Sequence, residues 1–293
     1  MTPTRWAAVV VNFEAGPLLV DSVRSLLADT SAGEPPPVVV VDNASHDGSV
    51  DALRAALPAV PVVDTGANLG YAAAANRGVA ATDAPVVAVC NPDLRVEAGT
   101  AAALVGRFDA EPDLGAVGPA VLEPDGRRYP SARRVASVLD AVGHGTLGGV
   151  WPANPFTRRY RQLDADPSAA RDVDWVSGAA VWLRRAALDA VGGWDERYFM
   201  YVEDVDLCWR LRQAGWRVAY EPAGTVVHVH GASTARRPYR MIAAHHRSLL
   251  RFAARRWRGW RRVLLAPAAV YLGVRAAWCM LARAVTPRAG RAD

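Results

Sequence analysis

Apolar runs that alternate with segments of helical period constrain the fold of this chain more than any other feature. Trp6 to Phe13 is a near-continuous apolar run, and Val38 to Val41 is a second, ending on Asp42. Val60 to Val63 is a shorter third that leads to Asn68-Leu69-Gly70, and Val86 to Cys90 is a fourth, ending on Asn91-Pro92-Asp93. Between them lie helical patterns: Leu19, Val23 and Leu26, then Val50, Leu53 and Leu57, then an alanine-rich stretch over 71–81. Strands apolar on both faces and separated by helices predict an α/β fold, a mostly parallel central sheet flanked by helices. Ligands of such sheets bind outside the carboxyl ends of the strands. Those ends carry Asn12 and Phe13, Asp42, and Asn91 with Asp93. No GxGxxG follows the first run and no GxxxxGK[ST] occurs, so dinucleotide and P-loop readings lose their main support.

The second half is less regular. Leu114 to Leu122 and Trp175 to Leu183 are strand-like, and Arg127 to Arg134 is a basic segment. Gly143 to Arg161, rich in Gly and Pro, is expected to be a long loop. His228 and His230 stand two apart at the end of a strand pattern, a spacing that puts both imidazoles on one face.

Glu203, Asp204 and Asp206 fall within four positions, after an aromatic run and before Leu207, Leu211 and Ala214. The spacing predicts a helix over about 203–214, closed by Gly215. Carboxylates in a first turn gain from the helix dipole, which alone would explain them. Tyr198, Phe199, Tyr201 and Trp209 offer a partly apolar wall, where a carboxylate pKa can rise toward a general base's range. Asp206 stands four residues before Arg210, the spacing of a helical ion pair.

Composition narrows the partners. The chain of 293 residues is 51% hydrophobic, and its three cysteines show neither disulfide nor zinc spacing. The start of the chain lacks the layout of a signal peptide, so a cytoplasmic protein is expected. The formal charge of +5 hides an asymmetry: from Gly231 onward there are fourteen Arg against one acid, Asp293. That tail is +13 and the first 230 residues are −8, a balance that fits an anionic membrane surface and disfavours nucleic acid. Arg247, Arg251, Arg255, Arg258 and Arg262 form a stripe opposed by Leu250, Phe252, Trp257 and Trp260. This is the pattern of a basic amphipathic helix at an interface. Val263 to Ala282 is mostly apolar but holds Arg275 near its middle, which favours shallow insertion over a clean span; a core helix pair is the alternative.

Together these segments resemble the inverting nucleotide-sugar glycosyltransferases of family 2. The likeness covers about residues 6–235 and rests on VVNFE, VVDNASHDGS, NLGYAAAANRG, CNPD, WVSGAAVWLRR, GGWDERYFMYVEDVDLCWR and HVHGAS, in that order. Within the family the chain is most similar to bacterial rhamnosyltransferases acting on polyprenyl-diphosphate-linked N-acetylglucosamine. The resemblance implies a GT-A catalytic domain over 1–235, with a nucleotide-binding half (1–95) and an acceptor-binding half (96–235). Residues 236–293 would then be a basic, membrane-associated helical tail, separable from a body that keeps the donor site.

The resemblance also implies roles. Asp42 matches the aspartate that binds the nucleobase, although it could equally brace the Asn43–Ser45 turn. Asn12, Phe13, Asn68, Arg77 and Asn91 would surround the donor. Asp93 occupies the last position of the DxD metal motif, with Asn91 and Pro92 replacing the earlier part, and would bind Mg²⁺ or Mn²⁺. His228 would be a further metal ligand, and His228 with His230 could equally be a satisfied structural pair. Asp204 would be the general base. Trp175, Gly178, Ala179, Trp194, Asp195, Glu203, Asp206 and His230 would lie on the acceptor side or support the site. The donor expected is a nucleoside-diphosphate sugar, dTDP-L-rhamnose first, with galactofuranose, N-acetylglucosamine or mannose donors as alternatives. A non-catalytic carbohydrate- or membrane-binding module is the other reading. The expected acceptor is polyprenyl-diphosphate-linked, the expected location peripheral at the cytoplasmic face of the cell membrane, and the oligomeric state is open.

Overall fold

The computed structural model describes residues 5–229 and 238–285. In chain order the first half runs β1 (Trp6–Asn12), α1 (Leu18–Ala28), β2 (Val38–Asp42), α2 (Ser49–Ala56), β3 (Val62–Asp64), α3 (Tyr71–Ala80), β4 (Val86–Cys90), β5 (Leu94–Val96) and α4 (Thr100–Ala110). Next come β6 (Leu114–Leu122), β7 (Arg128–Tyr129), β8 (Ala132–Arg133), α5 (Val138–Leu147), α6 (Pro155–Arg161), β9 (Arg171–Asp172), β10 (Trp175–Val176), β11 (Ala180–Arg184) and α7 (Arg185–Val191). The last elements are α8 (Glu203–Gln213), β12 (Arg217–His228), α9 (Pro238–Arg256), a 3₁₀ turn (Gly259–Leu264) and α10 (Leu265–Val285).

The main sheet follows the order β3-β2-β1-β4-β11-β6-β12-β5. The β3-β2-β1-β4 half is parallel throughout, as the apolar runs predict. β11 then enters antiparallel to both β4 and β6, and β12 returns parallel to β6. Each strand of the parallel half feeds two cores. In β1, Ala8 and Val10 join Leu19, Leu26, Leu104 and Trp182 on one face. Val9 and Val11 join Ala72, Ala75, Leu183, Leu207 and Leu211 on the other. Alternate residues point to opposite faces, so a strand covered on both sides needs an unbroken apolar run.

Two expectations need correction. The stretch 143–161 is not a loop but contains the second half of α5 and all of α6. Ser137 Oγ caps α5 by accepting from Asp140 N, and Asn154 caps α6 by accepting from Thr157 N with Pro155 behind it. These cap signals outweigh the glycine content. The arginine stripe does not lie on one continuous helix, because α9 ends at Arg256 and the 3₁₀ turn intervenes. The tail packs against the body. Phe252 is buried against Tyr198 and Val202, with Trp209 edge-on at 6.1 Å, and Arg255 reaches into the body.

Arg255 Nη1 lies 3.0 Å from both oxygens of Asp206, which has no exposed surface, and its Nη2 lies 2.8 Å from Asp195. Arg210 Nε donates to the same Asp206 at 2.7 Å, the pairing its spacing predicts, and Tyr198 OH adds a contact at 3.2 Å. Beyond this clasp, α10 turns its Arg275 inward, where Nε donates to Gly145 O and Nη1 to His246 Nε2. Its other face, with Val270, Val274, Trp278 and Leu281, is exposed. Gly259–Val285 is long and apolar enough to cross a membrane, and none of its apolar stretch is buried in the protein.

Candidate active site

Sheet register assembles the site. Ala180 pairs with Cys90 where β11 meets β4, and Asn91 N donates to Ala179 O at 2.8 Å. The Asn91–Asp93 turn is thereby held against the Ser177–Ala179 turn. At the other end of the same stretch, His228 closes β12 opposite Leu94, and Val229 N donates to Asp93 O. His228 Nε2 then lies 2.9 Å from Asp93 Oδ1, with the Asn91 amide at 3.3 Å, and both His228 and Asp93 are buried.

The acidic helix arrives from the opposite side. Asp204 Oδ2 accepts from Gly178 N at 2.9 Å, and Oδ1 accepts from Val205 N at 2.8 Å. Gly178 O in turn accepts from Tyr71 OH at 2.7 Å, and Tyr71 N donates to Phe199 O. Gly70 sits beneath Phe199 at φ +89°, where a Cβ would come within 2.3 Å of Phe199 O. A glycine in the NLGY segment is therefore required both by conformation and by close approach. The turn into the helix is strained: Tyr201 and Val202 take φ of 65° and 71°, a conformation that a β-branched residue rarely adopts.

Glu203 and Asp204 share a buried environment, and burial pushes both carboxyls above their ordinary range. The charge of Asp204 raises Glu203 further. Asp204 alone has two backbone N–H donors and a nearby cation, Arg133, that favour its ionised form. Glu203 Oε2 is buried without a hydrogen-bond partner. Burial and the Asp204 charge thus bias Glu203 toward its neutral form more strongly than burial biases Asp204.

Arg133 is the residue that sequence reasoning missed. Its guanidinium stacks 5.0 Å from Trp175, 5.1 Å from Tyr129 and 5.6 Å from Tyr160, and Nη2 donates to Tyr129 OH at 2.6 Å. The basic segment was visible, but its aromatic partners come from three separate elements.

One cavity of about 970 Å³ unites these groups. Phe13, Asn68, Asn91, Asp93, Trp175, Gly178, Ala179, Glu203, Asp204 and His228 line it. Asn12 and Asp42 lie outside its wall and hydrogen-bond each other at 2.7 Å. Asp42 also accepts from Ser45 N and Ser45 Oγ, which braces the turn. Arg77 is exposed and reaches Thr65 O at 3.4 Å. Trp194 is buried edge-on to Tyr71, and Asp195 and Asp206 belong to the Arg255 clasp. The expected aromatic wall is half right: Phe199 and Tyr201 line the cavity, whereas Trp209 turns away toward Phe252 and Tyr198 toward Asp206. His230 lies outside the described residues.

Among the described residues no cluster of three or more His, Cys, Asp or Glu forms. The Asp93–His228 pair offers one carboxylate and one imidazole at the cavity wall. Such a pair fits a divalent cation that takes its remaining oxygens from a diphosphate and water, not a closed all-protein site.

The fold is that of GT-A glycosyltransferases. The solved structure of GalNAc-T7 with UDP, GalNAc and Mn²⁺ matches with a TM-score of 0.59 at 15% identity, covering 78% of this chain and 44% of that one. The mannosyltransferase PcManGT from Pyrobaculum calidifontis, in complex with GDP-Man and Mn²⁺, matches with a TM-score of 0.57 at 18% identity, covering 100% and 77%. The family model described as "Glycosyltransferase like family 2" matches residues 3–247, and the chain belongs to that family. The N-acetylglucosaminyl-diphospho-decaprenol L-rhamnosyltransferase of Mycobacterium tuberculosis (strain ATCC 25618 / H37Rv) is 43% identical over 268 residues, 88% of this chain and 86% of that protein.

Proposed function

We propose that this protein is an inverting glycosyltransferase that moves L-rhamnose from dTDP-L-rhamnose onto a polyprenyl-diphosphate-linked sugar, at the cytoplasmic face of a membrane. One observation carries the chemistry: Asp204, held by Gly178 N–H and Val205 N–H, faces the same cavity as the Asp93–His228 pair. The mycobacterial relative, similar over nearly its whole length, supports the choice of sugar and acceptor.

In this reading the nucleoside rests against Phe13 and Asn68, on loops that Asn12 and Asp42 brace. The acceptor hydroxyl attacks the anomeric carbon as its proton passes to Asp204. The bond from that carbon to the diphosphate oxygen breaks on the opposite face, and the electron pair leaves with the nucleoside diphosphate. One displacement inverts the centre and needs no enzyme nucleophile. Asp93 and His228 would hold Mg²⁺ or Mn²⁺, which when bound neutralises charge on the leaving diphosphate. Glu203, pushed toward its neutral form by burial and by the charge of Asp204, favours placing the negative charge on the residue that accepts the proton. The exposed apolar face of α10 supports peripheral attachment, with Arg275 turned inward away from the lipid.

The test is release of nucleoside diphosphate by purified protein from a donor panel, with prenyl-diphosphate N-acetylglucosamine and added metal. Acceptor-dependent release from dTDP-L-rhamnose is expected. Release from another donor alone would change the sugar, and release from none would leave a binding module.

A further inference from the structure

The cavity does not end at the acidic helix. It continues between α5, α9 and α10, and there its character changes. Its only carboxylates among the described residues, Asp93, Glu203 and Asp204, all lie at the sugar end. The far end presents Arg240, Arg256 and Arg275. None of the three forms an ion pair with a carboxylate among the described residues, in contrast to Arg255 one position away, which meets two. Arg256 Nη1 donates to Ala136 O at 2.7 Å, Arg275 is bonded to Gly145 O and His246, and Arg240 lies 4.7 Å over the ring of Phe199. A guanidinium has five N–H donors, so most of those on the half-buried Arg256 and Arg275 remain for another acceptor.

The histidines between them add no acid. Burial holds His144 and His245 down at about 4, helped by Arg161, Arg133 and Arg275 at His144 and by His246 and Arg275 at His245, so both are neutral at pH 7. Arg275 acts on both of them, and Arg133 acts on His144, which joins this end of the cavity to the sugar end. Around the cations the wall is apolar, with Val138 and Val142 of α5 facing Pro267 and Leu272 of α10. That wall runs out to the exposed apolar face of α10.

We infer that this end of the cavity is the acceptor's diphosphate site, with Arg240, Arg256 and Arg275 gripping the two phosphates and the α5–α10 wall taking the isoprenoid chain. The inference rests on the lipid-linked acceptor proposed above and assigns it to residues. Charge selects it: a cavity end with three guanidiniums and no carboxylate suits a polyanion, and a guanidinium fork matches phosphate oxygens. The apolar lining separates a lipid-borne diphosphate from a free one.

The experiment measures binding to the full chain with EDTA present, using farnesyl diphosphate, inorganic pyrophosphate and farnesol as probes. Farnesyl diphosphate should bind at least about tenfold more tightly than either fragment, and Arg256→Gln and Arg275→Gln should each weaken it by about tenfold. Binding of dTDP should stay within about twofold in both variants, since neither residue lies near the Asp93 end. Arg240→Gln, at the exposed grip whose present contact is stacking on Phe199, guards against misfolding of the others and, as the weakest of the three grips, should cost about threefold. Equal binding of pyrophosphate and farnesyl diphosphate would overturn the lipid assignment, and equal binding of farnesol would overturn the diphosphate assignment. Unchanged affinity in the arginine variants would put the site elsewhere. Failure of sugar transfer with every donor, while these binding differences persist, would sink the transferase reading and leave this site standing.

Discussion

Replacing Arg255 by Gln tests whether α9 is an integral part of the body. Asp206 has no exposed side-chain surface and Arg255 only 25%, so their contact is screened little by water. Breaking a buried pair by removing one partner costs roughly 3–5 kcal/mol, because the other charge is left behind. Asp206 keeps Arg210 Nε at 2.7 Å and Tyr198 OH at 3.2 Å, so it is not abandoned. The expected loss is therefore about 2–3 kcal/mol, read as a shift in the urea unfolding midpoint at unchanged slope. Arg197→Gln is the control, since that side chain is 60% exposed and should cost no more than about 1 kcal/mol. A double-mutant cycle isolates the contact: in an Asp206→Asn background, Arg255→Gln should cost less than about 1 kcal/mol. A loss below about 0.5 kcal/mol in the wild-type background, or the same loss in both, would refute the clasp.

Asp204→Asn should lower kcat by about 10²–10⁴-fold while leaving dTDP binding within a few fold, measured by product release and calorimetry. Because burial raises the Asp204 pKa and only the ionised form accepts a proton, kcat/KM should fall as pH drops through a value above the ordinary 3.8. Arg133→Met, by removing a cation that favours ionisation, should move that acid limb to higher pH. Glu203→Gln should keep kcat within a few fold, since burial already biases the carboxyl it replaces toward the neutral form. Asp93→Ala should abolish the effect of Mg²⁺ on dTDP binding, and a full metal effect in that variant would put the cation elsewhere. Truncation after Arg258 retains the clasp and should preserve dTDP binding while losing vesicle partition; partition that survives it would shift the membrane contact to α5.

The parallel half of the sheet was legible because burial on both faces leaves no alternative to unbroken apolar runs such as Trp6–Val11. The acidic helix was legible from its spacing and from Gly215. What stayed hidden depends on contacts between distant segments. The partners of Arg133 lie at Tyr129, Tyr160 and Trp175, and no local pattern pairs them. Arg255 belongs to a stripe that looks uniform in sequence, yet it meets Asp195 and Asp206 while Arg258 and Arg262 stay exposed. Helices α5 and α6 were legible in principle, since Ser137 and Asn154-Pro155 are ordinary cap signals, but the glycines between them masked the pattern.

The clasp also sets an order of events during synthesis, in which N-terminal segments form first. The β1-β2-β3-β4 half closes from neighbouring segments, so a nascent chain can complete the donor end early. Asp206 is then committed to the interior with Arg210 as the cation bonded to it until α9 has been made. Only when Arg255 docks do α9 and α10 close over the other end of the cavity. A ribosome-bound intermediate would thus be ready for nucleotide before it is ready for lipid, and the apolar face of α10 would emerge after α9, when the body that must shield its inner side is already in place.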